Sequence, residues 1–189
     1  MHDLLSKAET EHHMKGMASA EVLGVVSLLE RNGIPVWLDG GWGVAALLGR
    51  ETRPHADLDI AVRHKDIPQL RELLYARGYR DVPRADTKDW NFALGDDQGH
   101  EVDVHSYTLG PRGEHLYGIE YPAGSLTGTG LVAGQQVQCI AAEYAVGFRT
   151  GYELRKSDFE DVAALCAKFG IELPAWHKDY PAREADDSH

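Results

Sequence analysis

The sequence predicts an α+β domain: a mixed α/β arrangement with a twisted sheet, flanking helices and a helical C-terminal part. Three observations predict it. Amphipathic helical stretches alternate with short apolar strands over residues 19–78. Two strand–turn–strand patterns follow, around 90–107 and 131–140. The remainder, 141–170, carries helical spacing. A chain of 189 residues suits one domain with a small appendage. Its 43% hydrophobic and 26% charged residues are those of an ordinary globular core.

Each element has its own signal. Val22, Val25, Val26 and Leu29 recur at helical spacing, predicting a helix over Ser19–Arg31 with Ser19 as N-cap and Asn32-Gly33 as its stop. Pro35–Leu38 reads as a short buried strand, Gly40-Gly41 as a turn and Trp42–Leu48 as a short helix. Asp57–Val62 alternates as a strand. Ile67, Leu70, Leu73 and Leu74 mark a helix over Asp66–Arg77 that ends at Gly78. Trp90–Leu94 and Glu101–Tyr107 are strands joined by the turn-rich GDDQGH, and Leu131–Ile140 is a hairpin turning at Gly134. The expected organisation is a polar leader over 1–18, a core over 19–140, a helical part over 141–176 and a loose tail over 177–189.

Composition narrows the function. The 30 acidic residues outnumber the 19 Lys and Arg, for a net charge of −11. That argues against a nucleic acid partner, which needs cationic side chains for phosphates, and suits a cationic small molecule. Cys139 and Cys166 follow no metal or redox spacing, so buried thiols in a cytoplasmic protein are expected. No membrane partner is expected, because no run approaches the roughly 20 apolar residues a membrane span needs, and MHDLLSKAETEHHMKG has no secretory pattern.

The chemistry-bearing residues lie in WLDGGWGVAALLGRETRPHADLDIAV and in one later strand. Asp57 and Asp59 are two apart on a strand and project side by side, a costly arrangement that a bound cation relieves. Magnesium, with its preference for carboxylate and phosphate oxygens, is the natural choice. Gly40 and Gly41 end a strand and open a helix, where backbone N–H groups hold phosphate. Within EVDVH, alternation puts Glu101, Asp103 and His105 on one face. If that strand neighbours the DLD strand, Asp103 adds a third carboxylate, as metal ligand or as acceptor of a hydroxyl proton. Arg53 pairs with phosphate or with a nearby carboxylate, and Arg149, Arg155 and Lys156 form a second basic group.

The ordered run GGWG, TRPHADLD and EVDVHSY resembles the DNA polymerase β-type nucleotidyltransferase superfamily, and within it the small lincosamide and aminoglycoside adenylyltransferases. The likeness extends over roughly residues 20–170. It implies the nucleotidyltransferase fold, with ATP as donor, Mg2+ as cofactor and a small antibiotic as acceptor. It implies that Gly40 and Gly41 hold the triphosphate, Asp57 and Asp59 bind metal, and Asp103 is ligand, general base or both. A homodimer is implied as well. Trp42 stands near the place where many relatives carry a serine, and Lys156 lies one residue earlier than the usual lysine, next to Ser157. A non-catalytic nucleotide sensor or antitoxin of the same superfamily is the alternative, and a DxD glycosyltransferase fits the GG turn poorly.

Overall fold

The computed structural model describes residues 16–149 and 153–179. Most of the expected leader and tail therefore lies outside the described residues. Helix α1 spans Ser19–Arg31 and buries the predicted Val22, Val25, Val26 and Leu29. Its N-cap is Ala18, with no side-chain cap, in place of the expected Ser19. Met17 explains the shift: its side chain is buried, and its N–H bonds the His55 carbonyl at 3.0 Å, which fixes the chain one residue before the hydroxyl. Met17, inside the segment read as a polar leader, is thus part of the packed core.

Strand β1 (Val36–Leu38) leads into helix α2 (Gly40–Leu48). The two glycines form the first turn of α2 rather than a separate turn before it. Strand β2 (Leu58–Arg63) and helix α3 (Ile67–Ala76) follow, then strands β3 (Arg80–Val82), β4 (Asn91–Gly95), β5 (Glu101–Leu109) and β6 (His115–Gly118). β3 and β6 are short and exposed, without the apolar alternation that marks a half-buried strand. β7 (Gly128–Val132) and β8 (Gln135–Cys139) form the expected hairpin, which starts earlier than predicted. There Gly128 and Gly130 press against the backbone of Ala141 and Ala46, leaving no room for a side chain to announce the strand.

The segment read as continuously helical is two helices, α4 (Ala142–Gly147) and α5 (Lys156–Phe169). Asp158 opens the second one, its Oδ2 accepting the Arg155 N–H at 2.9 Å.

The strands join in one sheet of order β3-β4-β5-β2-β1-β8-β7, with β6 paired to the far part of β5. It is mixed: β1–β8 and β2–β5 run parallel and the other pairs antiparallel. Leu38, Leu58, Ile60, Val102 and Val104 point into the core with the inner faces of α1 and α3. Residues of opposite parity, including Asp39, Asp59, Asp103 and His105, line the other face. The start of β2, the start of β5, the end of β1 and the first turn of α2 all meet at one end of the sheet. No helix among the described residues is long and apolar enough to cross a membrane.

Candidate active site

The strand register decides how the acids meet. β2 and β5 are adjacent and parallel, and Asp59 stands directly opposite Asp103. β1 flanks β2 on its other side, and the Asp39 N–H bonds the Asp59 carbonyl at 2.9 Å. Three carboxylates from three neighbouring strand ends therefore share one patch, with Asp57 immediately before β2. Side-chain ligand atoms of Asp59, Asp103 and His105 lie within 4.8 Å of one another. Asp57 is not in that triplet, but it lines the same cavity.

Asp59 carries the electrostatic cost. Burial, then Asp57, Asp39 and Asp103, push its pKa well above the ordinary carboxylate value, against the opposing charge of Arg84. Clustered hard oxygens in a desolvated, charge-repelled setting fit a divalent cation such as magnesium.

The glycines are required by this cluster. Gly40 has a φ of +53°, and a Cβ there would lie 1.9 Å from Asp59 Oδ2. A Cβ on Gly41 would lie 2.3 Å from His55 Nδ1. The GG pair and the HADLD run are thus two halves of one packing contact. Asp39 ties them together: its Oδ1 accepts the Gly40 N–H at 2.8 Å, and its Oδ2 accepts the buried Tyr121 hydroxyl at 2.7 Å. Burial and Asp39 hold the Tyr121 pKa far above its ordinary value, so this phenol stays a donor.

A cavity of about 520 Å3 opens over the patch, lined by Asp39, Gly40, Gly41, Asp57, Asp59 and His105, and by the arginines Arg53, Arg149 and Arg155. The arginines are held by α5. Arg53 donates to Asp161 at 2.9 Å, and Arg149 donates to the same carboxylate oxygen at 3.2 Å. Arg149 also faces Asp158 at 3.6 Å. Arg53 further donates to His55 Nδ1 at 2.9 Å, which leaves the imidazole proton on Nε2. Burial, followed by the Arg53 charge, lowers the His55 pKa to about 4, so the ring is neutral at physiological pH. Arg53 Nε and His55 Nε2 are buried N–H donors without a hydrogen-bond partner among the described residues. The arginines that line the cavity suit an anion rich in acceptor oxygens, such as a triphosphate.

Of the residues singled out in the sequence, Gly40, Gly41, Arg53, Asp57 and Asp59 line this cavity, and Asp103 joins through its pairing with Asp59. Lys156 is exposed at the start of α5, where Arg155 and Ser157 on either side line the cavity. Asp39, Tyr121 and Arg84 were not picked out as site residues. Asp39 was visible as a helix-opening acid, but Tyr121 and Arg84 reach the site from loops distant in the chain.

Comparison with known proteins decides the family. A sequence model of the aminoglycoside-2''-adenylyltransferase family matches residues 21–165. The chain belongs to that family. This adenylyltransferase-family chain is 27% identical over 158 residues to a lincosamide resistance protein of Staphylococcus haemolyticus, covering 77% of the chain and 92% of that protein. It is 30% identical over 122 residues to a 2''-aminoglycoside nucleotidyltransferase of Escherichia coli, covering 60% of the chain and 62% of that protein. Two solved structures share the fold. One is the lincosamide antibiotic adenylyltransferase LnuA, lincomycin-bound, with a TM-score of 0.68 at 23% identity over 83% of this chain and 99% of that one. The other is ANT(2'')-Ia in complex with adenylyl-2''-tobramycin, with a TM-score of 0.67 at 20% identity over 88% of this chain and 98% of that one. The fold and the family expected from the motifs are those found.

Proposed function

We propose that the protein is a magnesium-dependent adenylyltransferase that moves AMP from ATP onto a hydroxyl of an amine-bearing antibiotic of the aminoglycoside class. The observation that carries this reading is the direct pairing of Asp59 with Asp103, beside Asp57 and the glycine-opened helix. The matched family and the acidic floor of the cavity support a cationic acceptor. A lincosamide is the second acceptor to test, because the lincosamide resistance relative aligns over 92% of its length. The core over 19–140, the helical part over 141–176 and a homodimer belong to the same reading.

Magnesium, when bound, supplies the positive charge that offsets both the acids and the phosphate oxygens. Asp57, Asp59 and Asp103 would hold it, with a His105 ring nitrogen within 4.8 Å of ligand oxygens of the last two. The start of α2, where Gly40 and Gly41 line the cavity, would receive the triphosphate together with Arg53, Arg149 and Arg155. Asp103 accepts the proton of the acceptor hydroxyl. The acceptor oxygen then bonds to the α-phosphorus as the bond to pyrophosphate breaks, and pyrophosphate leaves toward the arginine wall. Neutral His55 packs against Gly41 and against the Trp42 ring, with centroids 5.0 Å apart, and keeps the helix start in place.

The test is pyrophosphate release with magnesium, each ribonucleoside triphosphate and a panel of aminoglycosides and lincosamides. Release with ATP and an aminoglycoside is expected, and Asp59→Asn should abolish it without lowering thermal stability. Tight nucleotide binding with no release for any pair would overturn the enzyme reading in favour of a sensor.

A further inference from the structure

The acidic patch already holds one cation, a side chain. Arg84 lies between β3 and β4, far in sequence from the motifs that build the site. Its Nη1 donates to Asp103 Oδ2 at 2.5 Å, and its Nη2 donates to Glu101. The backbone around it is turned back on itself: the Arg84 N–H bonds Thr87 Oγ1 at 3.0 Å, and the Thr87 N–H bonds the Arg84 carbonyl at 3.2 Å. The guanidinium is thus delivered from a fixed turn, yet its side chain is 34% exposed and has open water to withdraw into.

Arg84 and a divalent cation want the same carboxylate. Asp103 offers a ligand oxygen within 4.8 Å of those of Asp59 and His105, and its Oδ2 is committed to Arg84. A carboxylate between a guanidinium and a metal has its charge divided between them, and the two cations repel across it. We propose that Arg84 is a resident counter-cation of the metal site, which competes with the divalent ion for Asp103 and gives way to it on loading. The inference rests on the metal reading above and adds a specificity element to it. Arg84 keeps the acids compensated before loading and sets how much divalent ion the enzyme needs. Once it leaves Asp103, that oxygen is available to ligate metal or take a proton.

The experiment titrates Mn2+ alone into the whole protein, without nucleotide or acceptor, following free Mn2+ by electron paramagnetic resonance. Arg84→Gln removes the charge but keeps a polar side chain, and should bind Mn2+ about tenfold more tightly than wild type. Arg84→Lys should stay near wild type. Arg80→Gln is the control and should leave affinity unchanged, since the Arg80 guanidinium bonds the carbonyls of Tyr75 and Tyr79 instead. A merely structural role for Arg84 would weaken Mn2+ binding on substitution, so equal or weaker affinity in Arg84→Gln overturns the competition. Absence of Mn2+ binding in wild type and variant alike would overturn the metal reading beneath it, a distinguishable failure.

Discussion

Replacing Gly40 with alanine tests the link between the helix start and the acid cluster most directly. Two penalties act together. Gly40 has a φ of +53°, where a residue with a Cβ costs about 1–2 kcal/mol. The added Cβ would also sit 1.9 Å from Asp59 Oδ2 and 2.7 Å from its Cγ. Restoring van der Waals contact displaces the carboxylate by roughly 1.5 Å. A misplacement of about 1 Å in a catalytic constellation costs on the order of a hundredfold. Gly40→Ala should therefore lower kcat/KM for pyrophosphate release by at least about a hundredfold. Its Tm should fall by only about 2–8 °C. Gly24 provides the contrast, because it lies inside α1 with nothing within 4 Å of its Cβ position. Gly24→Ala should raise stability by about 0.5–1 kcal/mol and leave turnover unchanged. If Gly40→Ala kept kcat/KM within about threefold of wild type, the proposed coupling between glycine turn and Asp59 would be refuted.

Two further predictions concern the arginine wall. Asp161 is buried and accepts both Arg53 and Arg149, so Asp161→Asn strands two guanidinium groups beside a neutral oxygen. Arg53 is 33% exposed, which places the expected loss near the lower end of the range for broken buried pairs, about 3 kcal/mol, read as a lower urea midpoint with unchanged m-value. A loss under about 1 kcal/mol would mean that water already screens the network. His55 has a folded pKa of about 4 against an ordinary 6.5, so between those values the unfolded chain binds the proton that the folded chain refuses. Its contribution to stability is complete above pH 6.5 and is lost as pH falls toward 4. Asp59 acts with the opposite sign, its raised pKa favouring proton uptake by the folded state. The diagnostic is therefore the difference between wild type and His55→Gln in urea melts across pH, which should shrink on acidification through that window.

The legible parts of this protein are those where side-chain pattern and position coincide. α1 was readable because its apolar residues repeat at helical spacing and Gly33 takes a positive φ just beyond its end. The Asp59–Asp103 pairing was readable only as a condition, because alternation assigns a face to each strand but says nothing about which strands are neighbours. The parallel β2–β5 pair supplied that condition. Arg84 and Tyr121 left no local signal: one sits in an exposed polar loop, the other in a stretch without periodicity, and both matter through contacts made at long range. The break between α4 and α5 escaped for a related reason. Helical spacing continues across it, while Arg149 is drawn inward by Asp158 and Asp161.

The same division separates what the enzyme does from what it does it to. Asp59 lies at the start of a strand clamped on both sides by β1 and β5, with Asp57 immediately before that strand, so the placement of Asp59 is dictated by the sheet. The segment between β3 and β4 is under no such constraint: its side chains are largely exposed, and beside Arg84, which reaches Asp103, it carries the acids Asp86 and Asp89. Loops on a rigid scaffold are where selectivity can change without disturbing chemistry. Asp89 accepts the Tyr117 hydroxyl at 2.6 Å, which ties that loop to β6, whereas Asp86 is exposed. For a cationic acceptor, Asp86→Asn should raise acceptor KM by about two- to fivefold, the scale of one exposed charge pair. KM for the nucleotide and kcat should stay as they were, since Asp86 is not among the residues that line the cavity proposed for the triphosphate. Acceptor KM measured against ionic strength checks the cause: the difference between variant and wild type should vanish at high salt. A difference that persists at high salt, or a matching rise in nucleotide KM, would show that this loop serves the catalytic frame rather than the acceptor.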